Sequence, residues 1–266
     1  MAHDFSGRGV LYPERLPTFH RLPAPHGLAH AVRWFWIPEW NLPSGEQSRQ
    51  ELLPFPACNL VVEPHGVAFV GPPTRRSERV LEGRGWAVGA LLLPAAAHAL
   101  HDDLSSTRDA ELPLDEPELL RGVTAVMSDE GGDAAVRRER AAGLVGEWIR
   151  THTGELTAAG ELANRMGELL LDPAITRVDQ LPGRLGVSPR TVQRVSHEYF
   201  GLSPHSMIRR RRLQEGASRL RADRALSVAD LANELGYSDH AHFTNDFTAV
   251  LGLPPTQYRG VESAQE

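Results

Sequence analysis

The chain has 266 residues, with 28 basic against 34 acidic side chains and a net charge of −6. That length suffices for two domains, each with its own core, and the acidic balance excludes a polybasic protein that holds nucleic acid by bulk charge. The absence of an apolar run of about 18 residues excludes a membrane span, and a single cysteine, Cys58, excludes an intramolecular disulfide and fits a reducing, cytoplasmic setting.

The first residues, "MAHDFSGRGVLYPERL", lack the charged start and apolar core of a secretory signal. Between 10 and 110, short apolar runs such as "HAVRWFWIP", "NLVVE", "GVAFVG" and "GWAVGALLLP" sit between Pro and Gly turn signals. That spacing predicts a small antiparallel barrel or sandwich. Strict alternation in "VRWFWIPEW" places Val32, Trp34 and Trp36 on one strand face and Arg33, Phe35 and Ile37 on the other. Trp34 and Trp36 are then either a ligand-pocket wall or ordinary barrel core. Cys58 has no basic or metal-like neighbours in sequence and reads as a buried structural thiol.

From 116 to 153 the apolar residues take up helical spacing: Leu119, Val123, Val126 and Met127, then Val136, Leu144, Val145, Trp148 and Ile149. "SDEGGD" breaks the pattern, so a helical hairpin is expected. "THTGELTAAG" (151–160) is short, polar and Gly-containing, and marks the expected domain boundary. All that follows reads as helix. Residues 157–260 carry 13 Arg against 11 acidic residues, a net +2, whereas 1–156 carry −6. The chain has no Lys, so an Arg by itself is no sign of a chosen DNA contact.

The C-terminal part is written twice. "VDQLPGRLGVS" (178–188) aligns with "VADLANELGYS" (228–238), and "VQRVSHEYFGLSPHSM" aligns with "FTNDFTAVLGLPPTQY" after a one-residue insertion. Each copy is a helix, a turn with glycine (Gly186, Gly236), a second helix and a Gly stop followed by Pro. Thr176-x-x-Asp179 and Ser227-x-x-Asp230 read as capping-box-like starts. This is helix-turn-helix grammar. In the first presenting helix Val192, Val195 and Tyr199 fall inward and leave Arg190, Gln193, Arg194 and His197 outward. In the second, Phe243, Phe247 and Val250 fall inward and leave His240, Thr244 and Asn245 outward. Arg reads a guanine edge bidentately, and Gln and Asn read adenine, in the major groove.

These stretches resemble the DNA-binding domain of the AraC/XylS transcriptional regulators. "LGVSPRTVQRV", "YFGLSP", "MIRRRRLQEGASRLR", "SVADLANELGYSDHAHFTNDF" and "GLPPTQYR" carry the resemblance across 157–260. It implies two helix-turn-helix subdomains joined by one helix, from about Pro204 to Arg221, and double-stranded DNA as partner. Carried over by position, the DNA-binding set is Ser188, Arg190, Thr191, Gln193, Arg194, His197, Arg209, Arg210, His240, Thr244 and Asn245. Only one or two of Arg209 to Arg212 can face phosphate, because four successive residues project all around a helix. Three departures stand out. Pro182-Gly183 is expected to interrupt the first helix at ~3 kcal/mol. Ser196, where the second copy has Phe247, is expected to leave the first core underfilled, and Asn245, which stands where many relatives have Arg and is followed by Asp246, is expected to leave the second reading face with little positive charge. The first module is therefore expected to be the weaker.

"LAHAVRWFWIPEW", "LLPFPACNLVVE", "FVGPPTRR" and "VGALLLPAAAHAL" resemble the cupin-like N-terminal domain of uncharacterised function found in some AraC-type regulators, which implies a sensor or dimerisation barrel. The whole reads as an α+β chain: a small β-barrel to 115, a helical hairpin and linker (116–156), an all-α double helix-turn-helix domain (157–260) and a tail (261–266). Its expected role is a cytoplasmic, sequence-specific transcriptional regulator, homodimeric, controlled by a small-molecule effector and acting with RNA polymerase. No catalytic residue, cofactor or metal is expected. His98 and His101, and His240 and His242, do not build the three- or four-ligand set of a catalytic metal. The alternatives are a cupin-type metalloenzyme fused to a DNA-binding module and a regulator whose N-terminal domain binds a protein.

Overall fold

The computed structural model describes residues 18–52, 55–129, 131–223 and 225–260. The expected tail at 261–266 and residues 1–17 of the expected N-terminal domain lie outside the described residues. Among the described residues nine strands form the N-terminal part: β1 (Phe19–Pro23), β2 (Val32–Asn41), β3 (Gln47–Leu52), β4 (Asn59–Glu63), β5 (Gly66–Val70), β6 (Ser77–Glu82), β7 (Arg84–Trp86), β8 (Val88–Leu92) and β9 (Glu111–Leu114). The main sheet runs β1-β2-β8-β4-β5-β9, with β7 also on β2, and all its pairs are antiparallel. β3 and β6 form a separate two-stranded ribbon. Among the described residues the hydrogen-bonded path does not close on itself, so the β domain is an open sheet plus a ribbon rather than a sealed barrel.

The period-2 alternation of these strands separates two faces. Phe35, Ile37, Leu60, Val62, Val67, Phe69, Val88, Ala90 and Leu92 are buried against helices. Those helices are α1 (Pro94–Leu100), α2 (Pro117–Met127) and α3 (Ala134–Thr153). Trp34 and Trp36 lie on the opposite face. Val32, expected beside them, belongs to the helix-covered core. A register shift in the β2–β8 pairing between Val32 and Trp34 breaks the alternation, as a β-bulge does. Arg33, at that bulge, reaches Glu168 on a later helix.

Trp36 pairs across the strands with Gly89, and a Cβ on that glycine would collide with the indole. The missing side chain is what lets the ring lie on the sheet. In the hairpin, Val136 and Leu144 stay exposed at 50% and 39%, while Ala141 and Ala142 fill the positions against α2 and the sheet. Ala spacing is a weak signal of burial, which is why the apolar pattern misled there.

Among the described residues seven helices follow: α4 (Ala158–Leu171), α5 (Gln180–Leu185), α6 (Pro189–Phe200), α7 (Pro204–Ala222), α8 (Val228–Glu234), α9 (His240–Leu251) and α10 (Pro255–Gly260). They enclose two cores. α4, α5, α6 and the start of α7, through Met207 and Ile208, form the first. The rest of α7, through Leu213, Ala217 and Leu220, joins α8, α9 and α10 in the second. One helix is thus a wall of both cores. The second is aromatic, with Tyr237, Phe243, Phe247 and Tyr258 meeting edge to face at 5.2 to 5.5 Å.

The helical part docks on the β part at separate points. Asn164 on α4 accepts from the Ala95 backbone N–H at 3.0 Å and donates to the His30 carbonyl at 2.8 Å. His98 packs on Tyr199 of α6, ring centroids 4.5 Å apart. The Arg76 backbone N–H donates to the Val250 carbonyl of α9 at 3.2 Å. No helix among the described residues is long and apolar enough to cross a membrane.

Candidate nucleic-acid interface

The sequence repeat reappears as a repeat of hydrogen bonds. At the first turn the Val187 N–H donates to the Pro182 carbonyl at 3.1 Å, and at the second the Tyr237 N–H donates to the Ala232 carbonyl at 2.9 Å. These six-to-one bonds close a helix end around a left-handed residue. Gly186 and Gly236 supply it, with φ of 70° and 77°. Each presenting helix then starts on a side-chain cap. Ser188 accepts from the Thr191 N–H at 3.2 Å, and Asp239 accepts from the His242 N–H at 2.8 Å. Each stops at a left-handed glycine, Gly201 or Gly252.

Two of the three expected weaknesses disappear at this level. α5 begins at Gln180, so Pro182 occupies its first turn, where the missing N–H would have had no helical partner. Ser196 is buried and its hydroxyl donates to the Leu202 carbonyl. The position is therefore a polar connection to the chain after α6, and Phe200 and Leu202 supply the apolar bulk. Thr176 makes no cap of the expected kind. Gln180 bends back instead, its Oε1 accepting from the Thr176 and Arg177 N–H groups at 2.8 Å each. Ser227 does cap α8, accepting from Asp230 N–H at 3.3 Å.

The outward residues form two faces. On α6, Arg190, Gln193, Arg194 and His197 are exposed above buried Val192, Val195 and Tyr199. On α9, His240 and Asn245 are exposed and Thr244 half-buried, above buried Phe243, Phe247 and Val250. Arg194 is held by Glu198 one turn on, at 2.7 Å. Asp246 bonds Arg209 of α7 at 2.7 Å, so its charge is met from within the protein and not simply displayed beside Asn245.

The four successive arginines of α7 all find protein partners. Arg209 takes Asp246. Arg210 is buried and reaches the Thr74 carbonyl at 3.5 Å. Arg211 is buried and donates to the Ile175 carbonyl at 2.9 Å and to Glu215 at 3.1 Å. Arg212 lies 3.9 Å over the Tyr237 ring. Arg209 and Arg210 are thus placed differently from the rest of the expected DNA-facing set. The Arg194–Glu198 pair was legible as an i,i+4 spacing. The Arg209–Asp246 pair, 37 residues apart, had no sequence signal.

Residues 182–260 match the family described as "Helix-turn-helix domain". The chain carries an AraC-type helix-turn-helix domain. Over 100 residues it is 30% identical to the HTH-type transcriptional activator AarP of Providencia stuartii, covering 38% of this chain and 66% of that protein. It is 33% identical over 89 residues to the F1 operon positive regulatory protein of Yersinia pestis, covering 34% of this chain and 29% of that one. The chain therefore spans under a third of the Yersinia protein's length. Among solved structures, an apo ToxT variant from Vibrio cholerae overlaps 85% of this chain and 96% of its own at 12% identity, with a TM-score of 0.45. In front of the AraC-type domain, residues 20–111 match "Domain of unknown function (DUF6597)".

The histidines weighed as metal ligands have structural neighbours: His98 packs on Tyr199, and His101 stacks on Phe69 at 5.8 Å. Among the described residues no group of three or more His, Cys, Asp or Glu is placed to hold a metal ion. Cys58 is buried, and burial pushes its thiol up to about 12. Trp34 and Trp36 line a cavity of about 460 Å³ between the sheet and the β3–β6 ribbon.

Proposed function

We propose that the protein is a sequence-specific, DNA-binding transcriptional regulator, not an enzyme, and that a small molecule received by its N-terminal domain controls it. The observation that carries the reading is the pair of presenting helices, α6 and α9. They are capped alike, expose different polar faces, and are anchored to opposite ends of one helix. α7 has 19 residues, about 28 Å at 1.5 Å per residue. With a reading helix beyond each end, that length suits two successive major grooves about 34 Å apart. Arg190 and Arg194 supply guanine-reading chemistry, and Gln193 and Asn245 adenine-reading chemistry. Thr244, His240, His197, Thr191 and Ser188 complete the contact surface. The cavity behind Trp34 and Trp36 supports a small-molecule effector. Among the described residues no ligand set for the metalloenzyme alternative comes together.

Because the two heads differ, one chain reads an asymmetric site of two short, unlike half-motifs about one turn apart. A homodimer would occupy two such sites beside a promoter, within reach of RNA polymerase in the cytoplasm. Selection of the full-length protein on randomised duplex DNA, followed by footprinting, tests this. Two unlike half-motifs per protomer are expected. An inverted repeat needing two chains per site, or no enrichment, overturns it.

A further inference from the structure

We propose that Glu198 is a positioning residue of the first reading helix: it fixes the Arg194 guanidinium for one G·C pair and withholds it from phosphate. The proposal deepens the DNA-binding function above and rests on it. Arg194 Nη1 donates to Glu198 Oε2 at 2.7 Å, one turn further along α6. The other carboxylate oxygen, Oε1, lies 4.0 Å from His98 Nε2, on α1 of the N-terminal part. The His98 ring is itself packed on Tyr199, the chain neighbour of Glu198, with centroids 4.5 Å apart. The half-buried carboxylate thus stands between Arg194 and His98, while Arg194 keeps 58% of its side chain open.

Stability does not account for a carboxylate at this place. Glu198 lies in the last turn of α6, where the helix dipole disfavours negative charge. An ion pair one turn apart is also the weaker one when the acid is its C-terminal member. Exposed pairs of this kind add little to folding.

What the pair changes is the freedom of Arg194. A guanidinium carries five N–H donors in a rigid fork, and Glu198 takes one of those on Nη1. The donors left over suffice for a bidentate bond to a guanine edge. The arginine can therefore read while it is held. An arginine that is not held bonds any phosphate within reach, and such a bond carries no sequence information. A held one has less side-chain freedom to lose when it meets its base.

The neighbouring positions fit this role. Arg190, one turn before Arg194 and also exposed, has no ion pair among the described residues. Like charges at that spacing repel, and Glu198 draws the Arg194 guanidinium toward the far end of α6, away from Arg190. In the second module the repeat puts Asn245 at the position of Arg194 and Ala249 at that of Glu198. Asn is short and uncharged and needs no tether. The acid is missing where the arginine is missing.

The test uses the full-length protein and a duplex that it selects from randomised DNA, with a scrambled duplex of equal length as reference. Glu198→Gln removes the charge and the ion pair, whereas Glu198→Asp keeps the charge on a side chain too short to hold Arg194 in the same way. Both variants are expected to lower the cognate-to-scrambled affinity ratio by about threefold or more, part of the discrimination that a bidentate contact carries. With each base pair of the first half-motif replaced in turn, the loss is expected at the pair that Arg194→Ala affects. In the Arg194→Ala background, Glu198→Gln is expected to change the ratio no further, an outcome that a general loosening of α6 would not give. Side-chain ¹⁵N relaxation of Arg194 in the free protein is expected to show a more mobile guanidinium in both variants, and it needs no DNA. An unchanged ratio, a loss at other base pairs, a further loss in the Arg194→Ala background, or an equally ordered Arg194 overturns the proposal. Failure to select any duplex is seen before a variant is made, and it removes the DNA-binding function and this proposal together.

Discussion

Replacing Ser196 by Ala removes one oxygen atom from the first core and leaves the Leu202 carbonyl without the hydroxyl that donates to it. A buried acceptor left unsatisfied costs ~1–3 kcal/mol, and Ala returns up to ~0.5 kcal/mol through its higher helix propensity. The net loss is then ~0.5–2.5 kcal/mol, a factor of about 2 to 70 in the local opening equilibrium at RT of ~0.59 kcal/mol. Hydrogen exchange at the amides of 192–200 reads that factor directly, with 243–251 as an internal control in the other core. Ser196→Phe, which copies the second module, should be worse: it breaks the same bond and pushes a ring into space that Phe200 and Leu202 already fill. Unchanged or slower exchange in Ser196→Ala, or a stabilised Ser196→Phe, would refute the reasoning and restore an underfilled core.

Arg194→Ala should cost ~1–3 kcal/mol of discrimination between cognate and mutated sites while leaving the circular dichroism spectrum intact; cognate affinity equal to wild type would remove this residue from the reading face. Arg210→Ala should leave the slope of log K against log salt unchanged, because its guanidinium turns to Thr74; a slope smaller by ~0.9 would put it on a phosphate after all. Cys58 should resist iodoacetamide at pH 8 in the native protein and react in urea, since the thiolate forms only near a pKa of about 12. Rapid native alkylation would show that the thiol is neither buried nor protonated.

The repeat was legible in the chain because it rests on local chemistry. Gly186 and Gly236 mark left-handed turns, Ser188 and Ser227 are caps, and the inward stripes of α6 and α9 follow helical spacing that needs no partner to be recognised. The aromatic face of β2 was legible for the same reason, although the bulge at Val32 moved that residue to the core. Contacts between distant segments decided the rest. Pro182 costs little only because α5 starts at Gln180. Ser196 is a donor because Leu202 turns back over it. Arg209, Arg210 and Asp246 acquire their partners from segments tens of residues away. Whether Trp34 and Trp36 pack or line a cavity depended on where the β3–β6 ribbon settles across the sheet. Periodicity and capping are properties of a few consecutive residues, so a sequence displays them. Charge pairing and cavity shape belong to surfaces that exist only once the sheet, the ribbon and the two helical modules have met.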